Sequence, residues 1–241
     1  MGYFDEKVIK IAHSFDNISQ RYTILLLTSR KKTFIIKLVV YQKRGNMERK
    51  HNERCKDCKI RIEELLRLIY KKVIVNYNLE LPSKLEDYTG SPFEKQLAQI
   101  HAGLQKYRGH KIFVKAKKLP NIDFFIPEPG FIVEFDESQH FTKPREIALS
   151  GYSDALTLGF NKSKWVNLCA TLNKKDNDPA YRDEQRAWYD SLRDFAPSIL
   201  KIKPTIRLYA SDYVWCSLDA NSKSDQEHFR ELLGLRGSDE N

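Results

Sequence analysis

Three carboxylates lie close together on two short apolar segments, on either side of a four-residue loop that contains two prolines and a glycine. The first segment, Ile122–Ile126, carries Asp123, and the second, Phe131–Asp136, carries Glu134 and Asp136. This pattern predicts a β-hairpin. If the residues that flank the loop pair with each other, Asp123 lies opposite Glu134. Because side chains alternate along a strand, all three carboxylates then share one face.

Carboxylates in that arrangement are suited to holding a divalent cation. Directly opposed residues have Cβ atoms about 4.5–5.5 Å apart, so two negative charges there repel each other. Mg²⁺ and Mn²⁺ prefer hard oxygen ligands and would turn the repulsion into coordination. We therefore expect a Mg²⁺ or Mn²⁺ site at Asp123 and Glu134, with Asp136 available for a second ion or a water. The alternative is that the acids only form the wet face of an antiparallel sheet.

The composition favours a folded, basic protein. Hydrophobic residues make up 41% of the 241 residues, and the formal net charge of +9 favours a polyanionic partner such as nucleic acid. No apolar run approaches the roughly 20 residues of a membrane span, and the N-terminus does not resemble a signal peptide. We expect a cytoplasmic protein without membrane contact, whose four cysteines are thiols or metal ligands.

A second metal site is indicated by the spacing of His51, Cys55 and Cys58. Two cysteines separated by two residues can both reach one tetrahedral ion, and a helix often follows, which favours a structural Zn²⁺. The alternatives are a thiol pair without metal or a redox pair. A fourth ligand has to come from elsewhere in the chain, and the candidates are Cys169, Cys216 and His13.

The regular elements around the hairpin follow from periodicity and capping signals. Residues 1–50 are expected to be rich in β-structure, with one hairpin formed by residues 22–28 and 33–41. Apolar residues at helical spacing predict a helix after Cys58. Ser91 as N-cap with Glu94 in a capping box predicts another helix.

Further elements are expected in the second half of the chain. These are a strand at residues 112–116, a helix that begins near Asp178, a strand at residues 205–209 and a short C-terminal helix capped by Ser224. The order of elements predicts an α/β (α+β) domain with a mixed central β-sheet flanked by helices.

The run from Asp123 to His140 resembles the PD-(D/E)XK nuclease superfamily, and it is most similar to its very-short-patch-repair-like endonuclease branch. The matching residues are Asp123-Phe124, Glu134, Asp136, Gln139 and His140. The resemblance implies a restriction-endonuclease-like fold and metal-dependent cleavage of DNA. It also implies that Asp123 and Glu134 are metal ligands, with the carbonyl of Phe135 as a third ligand and Glu94 as a further acidic residue.

This sequence departs from the superfamily pattern in two positions. Asp136 stands where the superfamily has a lysine, and Glu137 stands where this branch usually has a glycine. The proton-handling group is therefore open. His140 is suited to general acid or base chemistry because its unperturbed pKa is near neutrality. The other candidates are Gln139, Lys115, Lys117 and Lys143.

The resemblance and the elements together predict four regions: a β-rich region at residues 1–50, a Cys/His zinc element with a helix at 51–90, a nuclease domain at 91–218, and a helix with a tail at 219–241. Double-stranded DNA is the expected partner, and a homodimer is a further possibility. An alternative is a non-catalytic nucleic-acid-binding protein on a nuclease scaffold. The residues expected to contact phosphates are Lys106, Arg108, Lys111, Lys115, Lys117, Lys118 and Lys143.

Overall fold

The structure is a computed structural model that describes residues 55–235 in full, together with the backbone of residues 8–11, 21–30 and 33–42. The chain divides into two compact units, residues 1–51 and 52–241. The first unit contains an antiparallel sheet of three strands in sequence order. The predicted hairpin in this unit is confirmed. The strands are β1 (Val8–Ile11), β2 (Arg21–Arg30) and β3 (Thr33–Gln42).

The second unit is a mixed α/β fold with a four-stranded sheet in the order β4-β5-β6-β7. Strands β4, β5 and β6 are antiparallel in turn, whereas β7 runs parallel to β6. The strands are β4 (Ile74–Tyr77), β5 (Ile122–Ile126), β6 (Phe131–Asp136) and β7 (Ile206–Tyr209). The helices are α1 (Lys56–Ile69), α2 (Glu94–Arg108), α3 (Lys143–Ser150), α4 (Lys162–Leu172), α5 (Arg182–Leu200) and α6 (Lys223–Leu232).

The β5–β6 hairpin forms the middle of this sheet, in the predicted register. Ile126 pairs with Phe131 and Phe124 pairs with Val133, so the apolar side chains of both strands enter the core. All six residues of β6 are buried, including its two acids. A central strand that carries acids inside the protein needs polar partners, and α5 and β7 supply them.

Helix α5 is the main polar element of the interior. It spans 19 residues, and nearly all of its residues from Asp183 to Pro197 are buried. Its apolar side, with Trp188 and Phe195, belongs to the core, while another side presents Asp190 and Asp194 to buried arginines. This helix therefore carries much of the buried charge of the second unit.

Some local predictions are wrong. Helix α2 begins at Glu94, with Phe93 as its N-cap. The two predicted capping residues bind the preceding turn instead: the Ser91 hydroxyl accepts from the backbone N–H of Phe93, and the Glu94 carboxylate accepts from that of Gly90. Residues 112–116 form no strand with any described part of the chain. The last helix is capped by Ser222, two residues before the predicted cap. Within residues 55–235 and the three strands of the first unit, no helix is long and apolar enough to cross a membrane.

Candidate active site and metal centre

The carboxylates of Asp123 and Glu134 meet at the end of the hairpin, where the backbone ladder gives way to side-chain hydrogen bonds. The backbone N–H of Asp123 donates to Oε1 of Glu134 at 3.3 Å. The N–H of Phe135 donates to Oδ2 of Asp123 at 2.9 Å. Each acid therefore occupies a backbone donor of the opposite strand, which keeps the two carboxylates side by side.

Glu134 is the more deeply buried of the two acids, with 5% of the residue exposed. Burial raises the pKa of its carboxyl group to about 7. The positive charge of Arg193 opposes this shift, and the negative charge of Asp123 adds to it. The Nε of Arg193 lies 3.5 Å from Oε1 of Glu134. Near neutral pH this carboxyl group can therefore exist with or without its proton.

Asp136 belongs to a network of buried ion pairs. Trp165 donates from its indole nitrogen to Oδ2 at 2.7 Å, and Arg207 donates to Oδ1 at 2.7 Å. Arg207 also binds Asp194 at 2.7 Å and is itself fully buried. Both oxygens of Asp136 are thus engaged by the core. Asp136 is therefore a counter-ion of Arg207 in the core, and its role toward a second ion or a water stays a prediction.

His140 lies beside this network and is held by a second carboxylate. Its Nδ1 is 2.9 Å from Oδ2 of Asp190 and 3.7 Å from Oδ1 of Asp136. Burial opposes the charged imidazole, yet the charge and hydrogen bond of Asp190 outweigh it and raise the pKa of His140. Gln139 donates to Glu137 at 2.9 Å, and its carbonyl accepts from Arg186. The imidazole of His140 is therefore oriented by Asp190, and the side-chain amide of Gln139 is engaged by Glu137.

The remaining predicted ligand, Glu94, serves the turn before α2, where its carboxylate accepts from Gly90 at 2.7 Å. Among the described residues, no group of three acidic or histidine ligands converges within 4.8 Å at the hairpin. The acids that meet at the hairpin are therefore the two carboxylates of Asp123 and Glu134. That set fits Mg²⁺, which typically takes one or two protein carboxylates and completes its shell with waters and substrate phosphates.

Lys59 is a site residue that the sequence did not reveal. It extends from α1, and its Nζ lies 2.6 Å from Oδ1 of Asp123 and 5.8 Å from the centre of the Phe135 ring. Sixty-four residues separate this amine from the acid that it contacts. The only local signal is its position directly after Cys58, which gives no indication of a partner on the hairpin.

Three thiols converge between the start of α1 and the turn formed by residues 215–217. The sulfur atoms of Cys55, Cys58 and Cys216 all lie within 4.8 Å of one another, and this group could hold a metal ion. Burial raises the pKa of Cys58, and its hydrogen bond with Cys55 adds to the effect. The structure thus brings together two predicted ligands and one of the three candidates for a fourth. His51 and His13 lie outside the described residues, and Cys169 is buried in the core.

Two cavities are lined by basic side chains, and the larger one reaches Glu134 through Arg193. The larger, of about 440 Å³, is lined by Lys115, His140 and three arginines of α5, and we call it the α5 cavity. The smaller, of about 200 Å³, is lined by Arg108 and Lys143 together with Lys174 and Lys175. Three of the predicted phosphate contacts therefore lie in cavities.

The other predicted phosphate contacts are exposed outside these two cavities. They are Lys106, Lys111, Lys117 and Lys118. Lys118 forms an ion pair with Glu80. Arg108 also binds Glu184, and Lys143 binds Glu146, so part of their charge is already neutralised.

Comparison with known proteins found no matching family model, no matching curated protein and no matching solved structure.

Proposed function

We propose that the protein is a divalent-metal-dependent endonuclease that hydrolyses phosphodiester bonds in double-stranded DNA. One observation carries the proposal. Glu134 neighbours Asp123 on one side, and on the other it lies 3.5 Å from Arg193, which lines the basic α5 cavity. A pair of carboxylates next to a cavity rich in cations is what a metal-dependent phosphodiesterase requires. The resemblance of the hairpin to PD-(D/E)XK nucleases agrees with this assignment.

Asp123, Glu134 and the Phe135 carbonyl would hold the Mg²⁺ or Mn²⁺. When bound, the ion supplies Lewis-acid polarisation of the phosphate and lowers the pKa of water. The protein's own residues divide the remaining work. Lys59 places a positive charge at the carboxylate pair, where charge builds up on the phosphate. His140, whose Nδ1 is held by Asp190, has its other ring nitrogen available to give a proton to the leaving oxygen.

The cleavage test compares supercoiled plasmid incubated with wild type and with Glu134→Gln, in Mg²⁺ and in Mn²⁺. We expect Glu134→Gln and Asp123→Asn each to lower the cleavage rate at least about 100-fold, because a lost ligand removes charge stabilisation that is worth several kcal/mol. Glu128→Gln is the matched control, since Glu128 is exposed in the loop of the same hairpin. Cleavage by Glu134→Gln at the wild-type rate would contradict the assignment.

A second candidate function is DNA binding without cleavage. It is favoured by the ion pair between Lys59 and Asp123 and by the complete engagement of Asp136 in the core. Both contacts neutralise acids that a metal would otherwise use. Retention of labelled duplex DNA by a protein that cuts neither DNA nor RNA in Mg²⁺, Mn²⁺, Co²⁺ or Ca²⁺ would favour this candidate over the endonuclease.

For the thiol cluster, we propose a structural Zn²⁺ ligated by Cys55, Cys58 and Cys216. Thiolates are preferred Zn²⁺ ligands, and binding releases the protons that burial otherwise retains on the sulfurs of Cys58 and Cys216. We expect the purified protein to contain about one zinc per chain, and we expect Cys216→Ser and Cys55→Ser to lose most of it. The control is Cys169→Ala, which removes a buried thiol outside the cluster.

Elemental analysis and the thermal midpoint in the presence of a strong chelator are the measurements. The midpoint should fall for wild type and for Cys169→Ala, but not for Cys216→Ser. Stoichiometric zinc that survives in Cys216→Ser, or its absence from wild type expressed with added zinc, would refute the site.

A further inference from the structure

We infer that the α5 cavity is the site that binds a backbone phosphate of the substrate strand next to the bond that is cut. The inference rests on the proposed function, because it assigns a place to the strand beside the Asp123–Glu134 pair. The cavity, at about 440 Å³, has the size of a small-ligand pocket. It is open to solvent through exposed Lys115 and Arg182.

Helix α5 builds the cavity with one face. Arg182, Arg186, Tyr189 and Arg193 lie at spacings of four, three and four residues, which brings their side chains to the same side of a helix. None of the described residues that line the cavity is an Asp or a Glu. A single helical face with three guanidinium groups is a concentrated source of donors for an anion, and the guanidinium fork matches phosphate geometry.

Two of these cations form no ion pair with a carboxylate of the described residues. Among residues 55–235, neither Arg182 nor Lys115 forms an ion pair. Arg182 reaches only the side-chain oxygen of Gln185, at 3.5 Å, and Lys115 lies over the ring of Tyr181 at 5.2 Å. Because most other arginines in this part of the chain are paired with carboxylates, an unpaired guanidinium beside a basic cavity is available to an external anion.

The deeper part of the cavity is fixed in place by contacts to its arginines. Arg193 is anchored by Asp190 at 3.2 Å and by the carbonyls of Pro120 and Asn121. Its buried Nε faces the Glu134 carboxylate at 3.5 Å without making a hydrogen bond to any described residue. Arg186 is held by Asp176 at 2.8 Å and by the carbonyl of Gln139. Donors held this firmly need little reordering when an anion binds.

The position of the cavity next to the Asp123–Glu134 pair indicates which kind of anion would bind in it. Arg193 lines the cavity and also contacts Glu134, and His140 lines it while it contacts Asp190. A phosphate in the cavity would therefore lie beside both the Asp123–Glu134 pair and His140. A strand bound there would place its next phosphodiester at the Asp123–Glu134 pair. The anion that we infer for the cavity is therefore a phosphate in the backbone of a nucleic acid.

The test is binding of a fluorescein-labelled duplex oligonucleotide by fluorescence anisotropy without added Mg²⁺ or Mn²⁺, so that metal-dependent cleavage does not occur. We expect the double variant Arg182→Gln/Lys115→Gln to weaken binding at least about tenfold at moderate salt. Each lost phosphate contact lowers the slope of log K against log salt by about 0.9, so the double variant should lose nearly two units of slope. Arg230→Gln with Lys223→Gln is the matched control, since both residues are exposed on α6.

The two proposals can fail separately. Wild-type affinity and an unchanged salt slope in Arg182→Gln/Lys115→Gln would overturn the cavity assignment, whatever the cleavage assay gives. Conversely, the wild-type protein could fail to cleave DNA while this variant binds DNA more weakly than wild type. That pair of results would support the cavity assignment and reject the endonuclease. Circular dichroism of the double variant checks its fold, and the two exposed positions make a loss of folding unexpected.

Discussion

The three acidic residues in strands β5 and β6 have two different roles. Asp123 and Glu134 face each other at the site, whereas Asp136, two positions farther along the same strand, is tied to Arg207 and Trp165. The alternation of side chains predicts which face the acids share, because it depends on local geometry alone. It cannot predict Arg207 as a partner, since 71 residues separate it from Asp136.

Arg207 compensates the buried acids of β6 and α5, so its loss should be costly. Replacement by Met keeps much of the volume but leaves Asp136 and Asp194 without their shared cation. Removal of one partner of a buried ion pair costs roughly 3–5 kcal/mol, and we expect Arg207→Met to lower the free energy of unfolding by at least that amount. Urea denaturation measures it, with exposed Arg230→Met as the control. A change under about 1 kcal/mol, the size of an ordinary surface effect, would contradict the role of Arg207.

Glu134 should make the stability of the metal-free protein depend on pH. Its pKa is raised from 4.5 in the unfolded chain to about 7 in the folded one, mainly by burial, so the folded state holds the extra proton between these values. Stability from this group is therefore present at low pH and decreases as pH rises through that window. An amide cannot ionise, so Glu134→Gln should match wild type at the low end of the window and exceed it above the high end.

The expected gain for Glu134→Gln at mildly alkaline pH is roughly 3 kcal/mol, from about 1.4 kcal/mol for each unit of pKa difference. Thermal or urea unfolding without added Mg²⁺ or Mn²⁺ across this pH window measures it. Glu128→Gln is the control, and its difference from wild type should be flat. A constant difference for Glu134→Gln would show that the carboxyl ionises normally.

At the scale of elements, the strands and long helices follow from periodicity, and the short or polar ones do not. The β5–β6 hairpin, α1 and α5 carry clear apolar patterns, and each forms close to the expected residues. Helices α3 and α4 are not evident from the sequence, since they are short and only a few of their residues are buried hydrophobics. Residues 112–116 are apolar enough for a strand, yet no described strand pairs with them.

The loop before α4 lies directly on the start of β7, and Gly159 permits the contact. A Cβ at this position would meet the carbonyl oxygens of Thr205 and Pro204 at 2.6 and 3.0 Å. Since backbone atoms cannot rotate away, we expect Gly159→Ala to cost about 1–3 kcal/mol of unfolding free energy. Gly103→Ala is the comparison, because its Cβ would meet only a methyl group of Ile147 at 3.2 Å and alanine favours the helix interior. Denaturant unfolding of both variants measures the difference, and equal effects would contradict the prediction.

At the scale of the whole molecule, the basic charge is distributed in a way that composition cannot reveal. The net charge of +9 favours a polyanionic partner, but it does not say which cations are free to meet it. In the second unit most described arginines are paired with acids, and in the α5 cavity the cations without ion pairs are Lys115 and Arg182. The sequence indicates the basic stretch at residues 106–118 as a whole, whereas the arginines that line this cavity come from α5, far away in sequence.

The second unit should fold without the first. The described core, from Cys58 to Leu233, is built within residues 52–241, which form a compact unit by themselves. We expect a fragment of residues 52–241 to unfold cooperatively, with a far-ultraviolet spectrum dominated by helix, because it keeps six helices and a four-stranded sheet. Circular dichroism during heating measures this, with the full chain as the reference. A fragment that shows a random-coil spectrum would contradict the division into units.

One peptide bond joins a residue of the thiol cluster to a residue that contacts the Asp123–Glu134 pair. Cys58 faces the other sulfurs, and Lys59, the next residue, reaches the carboxylate of Asp123. An oxidant that linked Cys58 to a neighbouring sulfur would therefore act one residue away from the amine that contacts Asp123. The thiol chemistry of the surroundings would then reach the carboxylate pair along the backbone of α1, without passing through the rest of the fold.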